Sequence, residues 1–184
     1  MLRGTLHRMA LTHAWLRLAA GGQNFALPAD AVAEVLPWME LCPIPASPSF
    51  VVGLLLGAGG GVPVVSLARL LGLPDPPMDL SAALVVIRGS QTPLALAVPK
   101  TEEVLHIDAT LLVPVAPEWA FHGVVSAQFH HGGVDVLCLD PARLLLEREQ
   151  QALADFARRE HERLESLAPF EQSVRCNSES PVAT

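Results

Sequence analysis

The glycine-rich apolar stretch at residues 50–71 constrains the fold more than any other part of this sequence. Two apolar runs, one beginning at Val51 and one covering residues 62–65, are separated by a cluster of four glycines within residues 57–61. Apolar runs on either side of a glycine-rich turn are typical of a β-hairpin. Ser66 is then a good N-cap for a short helix that ends at Leu71. The stretch therefore predicts two antiparallel strands and a helical turn, and it suits packing and contact better than chemistry.

Short apolar runs bounded by turn residues recur along the whole chain. Sixteen prolines and thirteen glycines are distributed among these runs, which favours a mainly β fold over a helical bundle. A proline-rich linker at residues 73–78 divides the body into two halves, about 13–72 and about 80–140, and each half has about five predicted strands. This count fits two small five-stranded barrels, one in each half.

Residues 141–168 carry the one long helical pattern in the sequence. Pro141 fits the first helical position after Asp140 as N-cap, and apolar residues recur along one side. Glu160 interrupts any strict heptad, so a sustained coiled coil is not expected. We therefore predict a long C-terminal α-helix, which offers a surface for a partner or for self-association. Residues 1–12 are predicted to be a flexible arm and residues 169–184 a disordered tail.

Charge, cysteine content and hydropathy exclude several classes of function. The formal net charge of −7 argues against a nucleic-acid partner, which needs a basic surface. Cys42, Cys138 and Cys176 are odd in number and lack metal-site spacing, which favours a reduced, cytoplasmic protein. We find no signal-peptide pattern and no apolar run of the roughly 20 residues that a membrane span needs. Direct membrane insertion is therefore not expected.

Candidate catalytic and metal-binding residues are sparse. His122, His130, His131 and Asp135 lie in one predicted hairpin, but adjacent histidines in a strand point to opposite faces, which does not favour a metal site. The serines do not occur in a G-x-S-x-G motif. The glycine cluster at residues 57–61 lacks the following Lys and Ser or Thr of a phosphate-binding loop. The sequence predicts no enzyme and no cofactor, and a metal protein built on the histidine hairpin remains the remote alternative.

The order of motifs resembles the CheW-like domain family of bacterial chemosensory systems over residues 13–146. The first motifs of the family pattern correspond to Phe-Ala-Leu-Pro at residues 25–28 and Val-Ala-Glu-Val at 32–35. Pro-Ile-Pro at residues 43–45, Pro-Ser-Phe-Val-Val-Gly at 48–53 and Pro-Val-Val-Ser-Leu at 63–67 follow in the family's order. Glu-Val at 103–104, Gly-Val at 123–124 and Leu-Cys-Leu-Asp at 137–140 match the later landmarks.

This resemblance implies both a fold and a function. Family members are two SH3-like five-stranded barrels without a catalytic site, here followed by the C-terminal helix. They are adaptors that bind the regulatory domain of a CheA-type histidine kinase and the cytoplasmic tip of methyl-accepting chemoreceptors. The resemblance therefore implies a chemotaxis scaffold, and the alternative is a docking module of the same fold with a divergent partner, such as a type IV pilus or twitching pathway.

Departures from the family pattern define the candidate site. Relatives carry Asn and Arg in the segment after Gly53, where this chain has Leu56 and Ala58, and they carry Asp where it has Ser66. Glu34 is retained. No catalytic, cofactor-binding or metal-binding residue is implied. The predicted partner-binding residues are Glu34, Val35, Gly53, Leu54, Leu56, Ala58 and Val62.

Overall fold

The computed structural model describes residues 12–42, 44, 47–57, 60–88, 94–116 and 119–175. These residues form a mainly β fold with two α-helices, as the sequence predicts. The strands are β1 (Thr12–Ala20), β2 (Gln23–Pro28), β3 (Val32–Pro37), β4 (Val51–Gly57), β5 (Gly60–Ser66), β6 (Ala83–Ile87), β7 (Leu94–Val98), β8 (Lys100–Asp108), β9 (Val125–His131) and β10 (Val134–Leu139). The helices are α1 (Leu67–Leu70) and α2 (Glu147–Arg175).

The strands form two five-stranded sheets, and each sheet takes strands from both halves of the chain. The first sheet has the order β8-β1-β2-β10-β9 and the second has the order β3-β6-β7-β5-β4. The opening hairpin of each half thus completes the sheet formed by the last three strands of the other half. Five strands per half are confirmed, but the predicted subdomains at 13–72 and 80–140 are wrong because the two halves exchange their opening hairpins.

This exchange follows from the apolar character of the opening hairpins. Strands β2 and β7 carry buried side chains on both faces, so water cannot reach their backbone N–H and C=O groups, and each strand needs a neighbouring strand at both edges. Each finds its second neighbour in the other half through a parallel pairing: Phe25 of β2 lies opposite Leu137 of β10, and Leu96 of β7 lies opposite Val65 of β5. The antiparallel hairpins supply the remaining pairs. Strands β2 and β7 therefore become the central strands of their sheets.

The sheets pack around three clusters of buried side chains. The shared core contains residues of both sheets, the first-sheet core contains residues of the first sheet alone, and the second-sheet core contains residues of the second alone. Strand β10 shows the alternation: Val136 and Cys138 enter the first-sheet core, while Leu137 and Leu139 enter the shared core. Burial raises the pKa of the Cys138 thiol to about 12, so this side chain packs as a small hydrophobe.

Both sheets curl, because the segments that follow their outer strands return to the opposite edge. Cys42, beyond the end of β3, forms a bridge with Leu54 of β4 through backbone hydrogen bonds of 3.3 and 3.2 Å. Val113, beyond the end of β8, forms the same bridge with Gln128 of β9, with two bonds of 2.9 Å. The first-sheet core accordingly contains residues from all five of its strands. The two sheets therefore close in equivalent ways.

Two predicted element boundaries are wrong. The helix predicted from residue 141 begins at Glu147, because Pro141–Arg143 form a separate 3₁₀ turn and Glu149 Oε2 accepts a hydrogen bond from Leu146 N–H at the new helix start. The helix also continues to Arg175, so the first part of the predicted tail is helical, and residues 176–184 lie outside the described residues. Strand β9 begins at Val125, because the preceding residues Phe121–Gly123 adopt positive φ angles in a 3₁₀ turn.

Ser66 joins the predicted hairpin and helix to the proline-rich linker. Its hydroxyl is completely buried, accepts a hydrogen bond from Arg69 N–H at 3.3 Å and donates one to Asp75 Oδ1 at 2.9 Å. Arg69 in turn forms an ion pair with Asp75 and donates to the Ser49 carbonyl at 3.1 Å. This Ser66 clasp caps α1, as the sequence predicts, and fixes the linker against the second sheet.

The loss of stability caused by substituting Ser66 should depend on whether Asp75 is present. We expect Ser66→Ala to lower the free energy of unfolding by about 1–2 kcal/mol, because it removes the cap and a buried hydrogen bond. Ser66→Asp should cost more, because it places two carboxylates together, and adding Asp75→Asn should restore part of the loss. Urea unfolding of the unsubstituted protein and of these three variants measures the coupling between Ser66 and Asp75. Ser81→Ala, which removes an exposed hydroxyl, is the control, and equal losses in both alanine variants would contradict the clasp.

Candidate partner-binding groove

The outer strand β3 presents an exposed edge on the second sheet. Among the described strands, β3 pairs only with β6, and Val35 lies opposite Val85. Glu34 is exposed, and the side chain of Val35 is 42% exposed. An outer strand with exposed side chains can accept a further strand or a flat apolar partner surface. The structure thus places two of the predicted site residues side by side at an accessible edge.

A groove lies where the segment after β3 returns to β4. Its volume is about 420 Å³. One wall is formed by residues 39–42 and the other by residues 54–56 of β4. Met39 is 37% exposed and Leu56 is 56% exposed, so the groove opens to solvent through two large apolar side chains. Its lining residues are Met39, Glu40, Leu41, Cys42, Leu54, Leu55 and Leu56.

Gly53 makes this groove possible because the returning segment crosses directly over it. A Cβ atom at Gly53 would lie 2.7 Å from Leu41 Cβ and 2.9 Å from the Cys42 carbonyl oxygen. Real Cβ atoms do not approach other atoms this closely, and one of the two neighbours is backbone. Gly53 is buried and lies directly beneath the groove, so its predicted role in partner binding stays a prediction in which it shapes the groove wall.

The remaining predicted site residues divide by burial. Leu54 is 3% exposed and belongs to the shared core, so the unbound chain offers little of its side chain to a partner. Val62 is half-buried opposite Leu55 and packs against the second-sheet core. Leu56 is exposed, and Ala58 lies outside the described residues. Sequence reasoning missed Met39 and Glu40, because only the return of their segment to β4 brings them to the site.

The groove elements are acidic or neutral. No Lys, Arg or His occurs between Arg17 and Arg69, whereas Asp30, Glu34 and Glu40 all fall in this interval. Arg88 reaches the same sheet but donates a hydrogen bond to the Val32 carbonyl, at the start of β3. The apolar groove is therefore flanked by carboxylates contributed by its own elements.

The histidine hairpin has a different geometry from a metal site. His130 Nδ1 lies 3.0 Å from Asp135 Oδ1, and His131 Nε2 lies 4.0 Å from Glu103 Oε1 on β8. These are two separate pairs. Across the described ranges of the chain, no three His, Cys, Asp or Glu side chains come together in a way that could hold a metal ion. None of the helices in the same ranges is long and apolar enough to cross a lipid bilayer.

Comparisons with known proteins agree with the two-sheet architecture. The chain is similar in structure to the scaffolding protein TtCheW from Thermoanaerobacter tengcongensis, with a TM-score of 0.65 and 18% sequence identity over 73% of this chain and 92% of that one. A search of curated proteins found no match. The family model of the CheW-like domain matches residues 14–149, which is most of the chain. The chain therefore belongs to the CheW-like domain family.

Proposed function

We propose that this chain is a non-enzymatic adaptor of a bacterial chemosensory pathway, which couples chemoreceptors to a CheA-type histidine kinase in the cytoplasm. Its membership of the CheW-like domain family supports this proposal, as does its similarity to a protein described as a scaffold. The curling of both sheets and their equivalent closing bridges are consistent with two SH3-like barrels.

The exposed outer strand β3 is the observation that carries this function. Glu34 and Val35 stand at an edge whose backbone can pair with a partner, and the solvent-open groove of Met39 and Leu56 belongs to the same sheet. Backbone pairing gives affinity and side-chain pockets give specificity in complexes of this kind. We assign the contact with the kinase regulatory domain to this face of the second sheet.

Val35→Arg should weaken binding of the kinase regulatory domain by about tenfold or more, because a charged side chain replaces an apolar contact at the interface. Val104→Arg is a matched control: Val104 is 52% exposed on β8, the outer strand of the first sheet, and also follows a glutamate. Isothermal titration with the regulatory domain of a CheA-type kinase measures both. Absence of binding by the unsubstituted protein, or equal weakening by the two variants, would contradict the assignment.

A docking module with a divergent partner is the second candidate function. The observation that favours it is the exposed apolar Leu56 at a position where relatives carry Asn. A kinase of a type IV pilus or twitching pathway is then the expected partner. The same titration with both kinase classes separates the two candidates, because the tighter complex identifies the pathway.

A further inference from the structure

The groove has the chemistry of a site for an apolar anchor. Apart from Glu40, its lining consists of apolar side chains and Cys42. Leu54 and Leu41 are largely covered, while Met39 and Leu56 remain open to solvent at the rim. A volume of about 420 Å³ is within the range of clefts that hold ligands in proteins. Grooves of this kind accept the apolar face of an amphipathic helix, whose anchors lie three or four residues apart.

The charge around the groove selects among amphipathic partners. Glu40 is exposed within the groove, and Glu34 is exposed on β3 of the same sheet. The groove elements contribute no basic side chain to balance them, and the chain as a whole has a net charge of −7. Opposite charges across an interface steer association, and like charges reject a wrong partner. A segment with acidic flanks is therefore disfavoured.

We propose that the groove binds an amphipathic helical segment of the partner whose apolar anchors are flanked by Lys or Arg. Leu56 and Met39 contact the anchors, and Glu40 and Glu34 select the positive flanks. The inference rests on the proposed function, because the segment belongs to the protein that this adaptor recruits. It makes Leu56 and Glu40 the residues that determine partner specificity.

Three designed peptides test the groove without any natural partner. The first is a 16-residue alanine-based helix with three leucines at helical spacing and flanking lysines, the second has glutamates in place of the lysines, and the third has serines in place of the leucines. We expect the lysine peptide to bind and both others to bind at least about tenfold more weakly in fluorescence anisotropy. Glu40→Lys should narrow or reverse the preference between the lysine and glutamate peptides.

Two variants with the same substitution localise the binding. Leu56→Asp should weaken binding of the lysine peptide about tenfold or more, because the substitution removes an apolar contact that is buried on binding. Leu80→Asp is the matched control, since Leu80 is fully exposed and does not line the groove. Both side chains are exposed, so both variants should fold, and circular dichroism confirms this.

The outcomes separate this inference from the proposed function. Equal binding of the lysine and glutamate peptides, or equal effects of Leu56→Asp and Leu80→Asp, would overturn the groove chemistry. If the lysine peptide binds through Leu56 but no CheA-type regulatory domain binds, the groove chemistry stands and the adaptor function fails. If a regulatory domain binds and Leu56→Asp leaves its affinity unchanged, the function stands and the inference is overturned.

Discussion

Phe156→Ala is expected to lower the free energy of unfolding by about 3–5 kcal/mol, the usual cost of removing a buried phenylalanine side chain. Phe156 is only 2% exposed and, with Leu153, belongs to the shared core. Both residues lie beyond residue 149, where the family match ends. The first turns of α2 are therefore part of the folded body in this chain.

Urea unfolding followed by circular dichroism measures this effect. Arg158→Ala is the control on the same helix, because Arg158 is exposed and its ion pair with Asp155 contributes at most about 1 kcal/mol. A loss below about 1 kcal/mol for Phe156→Ala would show that α2 does not contribute to the core. The expected result also restricts how a docking role of α2 can be tested. Deleting the helix would remove the core residues Leu153 and Phe156 as well, so substitutions at exposed positions such as His161 and Arg163 are needed.

Gly53→Ala should both destabilise the fold and distort the groove. The added methyl group would lie 2.9 Å from the Cys42 carbonyl oxygen and closer still to Leu41 Cβ, so the returning segment must move away from β4. Overpacking of this kind costs about 1–3 kcal/mol. The hydrogen bond from Leu54 N–H to the Cys42 carbonyl, at 3.2 Å, should lengthen or break. Binding of the lysine peptide should fall as the groove wall moves.

Hydrogen exchange distinguishes a local change at the groove from a general loss of stability. The Leu54 amide should exchange faster in Gly53→Ala at urea concentrations where the protein is still folded. Gly22→Ala is the control, because a Cβ atom there meets nothing within 4 Å and only the positive φ of 78° is strained. That variant should lose stability with no selective change at Leu54. Unchanged exchange at Leu54 in Gly53→Ala would contradict a close crossing at this point.

The strands and their order along the chain could be predicted from the sequence, because apolar runs between turn residues depend on local properties. The pairing of strands could not. Nothing local to residues 23–28 indicates that their second neighbour is β10, more than one hundred positions further along. Two halves with five strands each suggest two separate barrels. In the structure, β2 and β7 each need a paired strand at both edges, and the second of these strands comes from the other half, so the halves exchange hairpins.

The candidate site shows the same division between local and tertiary information. Leu54 and Leu56 are two residues apart in β4, so alternation places them on the same face and predicts the same burial. The structure buries the first and exposes the second, because the shared core covers Leu54 and ends before Leu56. The resemblance to the family predicts Glu34 and Val35 as partner-binding residues, and the structure leaves both side chains exposed. Met39 and Glu40 reach the groove only through the curl of the second sheet.

The exchange of hairpins between the halves also sets the order in which the chain can fold during synthesis. The second sheet is complete once β7 has emerged from the ribosome, but the first cannot close until β10 follows, about forty residues later. Until then, β1 can pair with β8, but the β2 edge of the β1–β2 hairpin has no partner strand, and the hairpin carries apolar residues on both faces. Such a hairpin is prone to pair with other nascent chains. We therefore expect chains that stop before residue 134 to aggregate, although they contain a complete second sheet.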